Sequence, residues 1–169
     1  MKLSLLFVGT ILALVLSGCG AKPYVDVTSK DYATLQLVPK SKTLIFSDDY
    51  YAFIDDMSKG CDGIDPMGMI MTDSDTPSRV VKLPVEKPLR ITVDYRIESG
   101  NSVYTEYMQF MLVPEKNRHY VVEYMRKDVG LFETMSDFDV YMQEGDKKLD
   151  VPSDRIRELT KEESGCSRY

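Results

Sequence analysis

"LRITVDYRI", residues 89–97, decides the fold. Leu89, Ile91, Val93, Tyr95 and Ile97 fall on alternate positions, with Arg90, Thr92, Asp94 and Arg96 between them. A helix would scatter these apolar residues around its axis, whereas an extended chain puts them on one face. The stretch reads as a strand with one side in a core and the other toward water.

The same period continues on both sides of it. "ATLQLV" sets Ala33, Leu35 and Leu37 against Thr34 and Gln36, and "DFDVYMQ" sets Phe138, Val140 and Met142 against Asp137, Asp139 and Tyr141. "HYVVEYMR" offers Tyr120, Val122 and Tyr124, and "YTEYMQFMLV" turns apolar on both faces toward its end, as a central strand does. "TLIFS", "YYAFID" and "RVVKL" are shorter candidates, separated by turn signals such as "ESGN" (98–101), "PEKN" (114–117) and "EGDKK" (144–148). Strands recurring at this spacing predict an all-β fold, an antiparallel β-sandwich of about seven to nine strands. One short helix is expected near the C-terminus, in "SDRIRELTKEE", with Ser153 as cap and Ile156 and Leu159 on its inner side. Eleven Tyr and six Phe supply much of the area such a core needs.

The first residues follow another rule. Lys2 precedes an apolar run from Leu3 to Leu16, too short to span a bilayer, and small residues close it. This is the layout of a secretory signal. Its end, Leu16-Ser17-Gly18-Cys19, resembles the lipobox of bacterial lipoproteins. The resemblance implies that the Cys19 thiol receives a diacylglyceryl group, that cleavage precedes Cys19, and that further acylation with a palmitate-type chain follows. Two or more acyl chains hold a protein to a membrane without a spanning helix. Gly20, where an Asp would favour inner-membrane retention, implies an outer-membrane lipoprotein facing the periplasm. The expected organisation is a signal peptide at 1–18, a lipidated tether at 19–31 and a single sandwich domain at 32–169.

In that oxidising compartment the two remaining cysteines, Cys61 and Cys166, are expected to pair. The bridge would close a loop of roughly 105 residues, for which chain entropy alone suggests about 4.7 kcal/mol. The layout also resembles, more loosely, a diffuse group of small envelope lipoproteins of proteobacteria. A strand follows the tether, then a Cys-Gly loop, the proline-flanked "VVKLPVEKPLRITVDY", an F-x-L-V-P stretch at Phe110–Pro114 and a late Cys. That likeness implies a sandwich with a disulfide and no particular activity.

Catalytic signatures are sparse. The single histidine, His119, would have to serve any Ser-His-Asp or Cys-His mechanism, and its setting beside "EKNR" reads as a solvated turn. No enzyme activity and no cofactor are expected. Met67, Met69 and Met71 alternate in "MGMIM" and would share one face of a strand, as soft ligands for Cu(I) must, although Met also fills irregular core gaps. The acidic residues between Asp48 and Asp75 read as a solvated loop face. Tyr50, Tyr51, Tyr104, Tyr107 and Tyr141 leave two readings open, an exposed interface or a core covered on both sides. A net charge of −6 without a basic stripe argues against nucleic acid. The expected partners are the membrane, through the lipid, and another envelope protein. The leading functional expectation is a non-enzymatic, lipid-anchored binding or structural module, with a copper carrier as the alternative.

Overall fold

The structure, a computed structural model, describes residues 21–41, 47–73, 77–99, 102–128 and 134–166. Its strands are β1 (Ala33–Ser41), β2 (Ser47–Asp56), β3 (Asp65–Asp73), β4 (Val81–Leu83), β5 (Leu89–Ser99), β6 (Ser102–Leu112), β7 (His119–Asp128), β8 (Thr134–Glu144), β9 (Lys147–Asp150) and β10 (Ile156–Glu158), followed by helix α1 (Lys161–Gly165). They form two five-stranded sheets, ordered β4-β1-β7-β8-β9 and β10-β6-β5-β2-β3. The fold is an all-β sandwich.

Alternating side chains of the two sheets meet between them. Ala33, Leu35 and Leu37 from β1 and Tyr120, Val122 and Tyr124 from β7 face Tyr50, Ala52 and Ile54 from β2 and Leu89, Ile91, Val93 and Tyr95 from β5. All of these are fully buried. Each large aliphatic among them contributes roughly 1.5–3 kcal/mol by leaving water. Tyr124 is the centre of a ring cluster, 4.0 Å from Tyr95, 4.8 Å from Phe138 and 5.9 Å from Tyr50 between centroids. The long strands β5 and β6 pair along their whole length from Leu89↔Leu112 to Ser99↔Ser102.

The expected antiparallel sandwich with one short C-terminal helix is present, and it differs from the expectation in detail. Among the described strands every pairing is antiparallel except that of β1 with β7, which is parallel from Thr34↔His119 to Ser41↔Arg126. Ten strands stand among the described residues where about seven to nine are expected, because β3, β9 and β10 lie outside the stretches read as strands, while "TLIFS" falls mostly outside the described residues. "EGDKK" is the β8–β9 hairpin, turned at Gly145 with φ 60°. The expected helix begins later. Ile156–Glu158 is strand β10, paired with β6 at Ile156↔Leu112, and α1 starts after Thr160. Thr160 and Glu163 make a reciprocal capping box, the Thr160 hydroxyl accepting from the Glu163 N–H and the Glu163 carboxylate from the Thr160 N–H. Ser153 has no Glu or Gln three residues on, so the stronger start signal wins.

The supposed tether is only partly a spacer. Residues 22–24 lie against the outer edge of β3: the Tyr24 N–H donates to the Met69 carbonyl at 2.8 Å, and the Met69 N–H to the Lys22 carbonyl at 2.9 Å. Tyr24 is buried, its hydroxyl donating to the Lys82 carbonyl, and Asp26 accepts from the Lys82 N–H at 2.9 Å. Residues 22–27 thus strap the β3 edge of one sheet to the β4 edge of the other. Leu16, Ser17, Gly18 and Cys19 lie outside the described residues.

Candidate functional site

Three constellations gather the chemically capable side chains. The first is a clasp at the C-terminus. On the outer face of β5, the Arg90 guanidinium donates to the Asp55 carboxylate at 3.0 Å through Nε and lies 2.9 Å from it through Nη2. Its Nη1 donates to the carbonyls of Glu163 and Cys166, at 3.3 and 2.9 Å, and so completes the carbonyl end of α1. Both ions are buried, against the expectation that this acidic stretch and this strand face meet water. Met111, across from Arg90, and the neighbouring Thr92 are buried too. Cys61 and Cys166 are bridged, with Cα atoms 5.3 Å apart. The bridge holds the segment from β10 onward over the sheet.

Beside the bridge is a cavity of about 370 Å³, lined by Met57, Cys61, Pro88, Met111, Arg157 and Glu163 among others. Its charged pair is closed on itself. Arg157 donates twice to the Glu163 carboxylate, at 2.7 Å each, and this fork together with the Thr160 N–H holds the carboxyl down to about 2.

The second constellation is on the outer face of the other sheet. Glu123, on β7, is buried beneath Lys40, Lys148 and Tyr141. Its carboxylate accepts from Lys40 at 2.8 Å, from Lys148 at 3.0 and 3.1 Å and from the Tyr141 hydroxyl at 3.1 Å. Burial pushes this carboxyl up, but the two ammonium groups outweigh it and hold it below the usual range. Burial, then the Glu123 charge, pushes the Tyr141 hydroxyl up to about 12. A carboxylate saturated in this way is a structural ion cluster with no lone pair turned toward a substrate.

The third is the methionine strand. Ile54 pairs with Gly68 and Asp55 with Pro66, so Met67 is the extra residue of a β-bulge. The bulge breaks the alternation: Met67 packs against the core, whereas Met71 on the outer face is 61% exposed. Met67, Met69 and Met71 therefore do not line a single face. Among the described residues no three His, Cys, Asp or Glu side chains gather as a metal site requires.

The remaining candidates are scattered. His119 begins β7, half-buried, its Nδ1 2.9 Å from the Thr34 hydroxyl, and burial lowers its affinity for a proton. Of the tyrosines, Tyr50 and Tyr141 are buried, Tyr51 is half-buried and Tyr107 is 70% exposed, while the Tyr104 side chain is outside the description. The clasp is absent from the sequence reading except for its disulfide. The one signal that could have found it is the Thr160-Glu163 spacing, which moves the helix onto Cys166. No protein-family model, no curated protein and no solved structure matches the chain.

Proposed function

We propose that the chain is an exported bacterial lipoprotein, a lipid-anchored β-sandwich that binds or supports another component of the cell envelope without catalysing a reaction. The observation that carries the reading is Leu16-Ser17-Gly18-Cys19 at the end of a short apolar run behind a single lysine. Gly20 directs the mature protein to the outer membrane. The bridged Cys61 and Cys166 suit an oxidising compartment such as the periplasm.

Intact-mass measurement on protein from bacterial membranes tests the anchor. The expected mass is that of the chain from Cys19 with attached acyl groups, and Cys19→Ser is expected to lose the label from fed palmitate and leave the membrane fraction. An unmodified N-terminus, or unchanged fractionation of Cys19→Ser, would refute the reading. Crosslinking in intact envelopes then tests the binding role, which requires a partner recovered reproducibly with the wild-type protein.

A further inference from the structure

We infer that one edge of the β3-containing sheet, formed by residues 22–24 laid along β3 and by Val25 after them, rests in the boundary between headgroups and acyl chains of the membrane that carries the anchor. The inference rests on the lipoprotein reading for the anchor itself, and the choice of surface comes from the fold. Only Gly20 and Ala21 separate Cys19 from Lys22, whose carbonyl is already bonded to β3. From Cys19 to Lys22 the chain spans at most about 11 Å. The headgroup layer on each side of a bilayer is roughly 5–8 Å deep. With its lipid inserted, the body cannot stand off from the membrane and must meet it near this edge.

The local pairing decides which surface that is. Pro23 bridges Met69 in parallel, and by alternation Val25 and Met71, two residues on in each segment, turn to the same outer side as that bridge. Tyr24 and Ile70, between them, point into the core at 2% and 3% exposure. Val25 is 77% exposed, Met71 61% and Val80 47%. Val80 follows Arg79, whose guanidinium donates to the Tyr24 carbonyl at 2.6 Å, so it belongs to the same edge. Large apolar side chains left in water beside a lipid attachment point match what an interfacial segment presents to a bilayer, and the exposed Lys22 and Lys82 flank them.

The end of the sheet where the chain enters is the competing surface. It exposes charges of both signs, Asp62, Asp65, Glu86, Glu158 and Glu162 with Lys59, Lys87, Arg157 and Lys161, and none of the exposed large apolar side chains of the described residues. The apolar edge is therefore the side that docks, with its side chains entering to a depth of about 5–10 Å.

The chain has no tryptophan, so a single indole reports its own depth. Full-length Val25→Trp, Met71→Trp and, on β8 beside the far edge strand of the other sheet, Gln143→Trp are to be expressed in bacteria and reconstituted from membranes. The vesicles contain phosphatidylethanolamine and phosphatidylglycerol, with or without acyl-chain-brominated phosphatidylcholine. The expected result is a blue shift and bromine quenching for Val25→Trp and Met71→Trp, and neither for Gln143→Trp. Protein that floats with the vesicles but gives all the indoles the same unquenched emission overturns the docking and leaves the anchor standing. Protein that fails to float and has an unmodified N-terminus overturns both.

Discussion

Tyr50 sits in the middle of the core, and its hydroxyl is the one buried side-chain polar atom without a hydrogen-bond partner among the described residues. Its neighbour Tyr124 solves the same problem by donating to the Glu106 carboxylate at 3.0 Å. Burial, then the Glu123 charge, raises the Tyr50 hydroxyl far above its ordinary range, so it stays protonated and keeps a donor it cannot use. An unmet donor costs about 1–3 kcal/mol, while the ring supplies all of the packing. Tyr50→Phe is therefore expected to match or exceed the parent in urea unfolding, by up to about 1 kcal/mol, whereas Tyr124→Phe loses about 1.5–3 kcal/mol with its charged acceptor. A Tyr50→Phe protein clearly weaker than the parent would contradict this account. The same contrast separates Arg90 from Arg96. Both alternate with apolar residues in "LRITVDYRI", yet Arg90 is buried and Arg96 exposed. Alternation reveals which residues point away from the core. It does not reveal whether a distant segment will cover them.

At the scale of elements, the strap of residues 22–27 depends on Gly68. Its φ of 129° lies where side chains are rarely tolerated, and a Cβ there would sit 2.7 Å from Tyr24 Cα. Gly68→Ala is expected to lift the strap from β3 at a cost of roughly 1–3 kcal/mol. Hydrogen exchange should quicken at the Tyr24 and Met69 amides while the β5–β6 ladder keeps its protection. Unchanged exchange at Tyr24 would show that the strap does not need this close approach. The strands with strict alternation, such as β1 and β5, are legible in the sequence because a half-buried strand has a single apolar face. The strap is not, since its only core residue, Tyr24, has no periodic companion. The bulge at Met67 is equally hidden, because it arises from how Pro66 and Gly68 meet β2, and it removes the shared methionine face that the spacing predicts. The parallel β1–β7 pair is a matter of partner choice, which periodicity within one strand cannot express.

For the whole molecule, the Cys61–Cys166 bridge joins positions 105 apart and secures the C-terminal clasp. The clasp is otherwise held by a three-residue strand, a five-residue helix and the Arg90 contacts. The double variant Cys61→Ser/Cys166→Ser is expected to lose about 2–5 kcal/mol in guanidinium unfolding. Its amides at Ile156–Glu158 should exchange faster than those of β1. Equal stability of parent and variant, with and without reductant, would mean that the bridge constrains nothing. The parallel pairing of β1 with β7 has a kinetic consequence as well. Thr34 and His119 stand 85 positions apart, so the strand between β4 and β7 leaves the ribosome long before one of its neighbours exists. Such distant pairings slow the search for the native state. On the lipoprotein reading, the β7 side of β1 has no partner until His119 and the residues after it have crossed the inner membrane, and a chain truncated before that point should remain open to proteases.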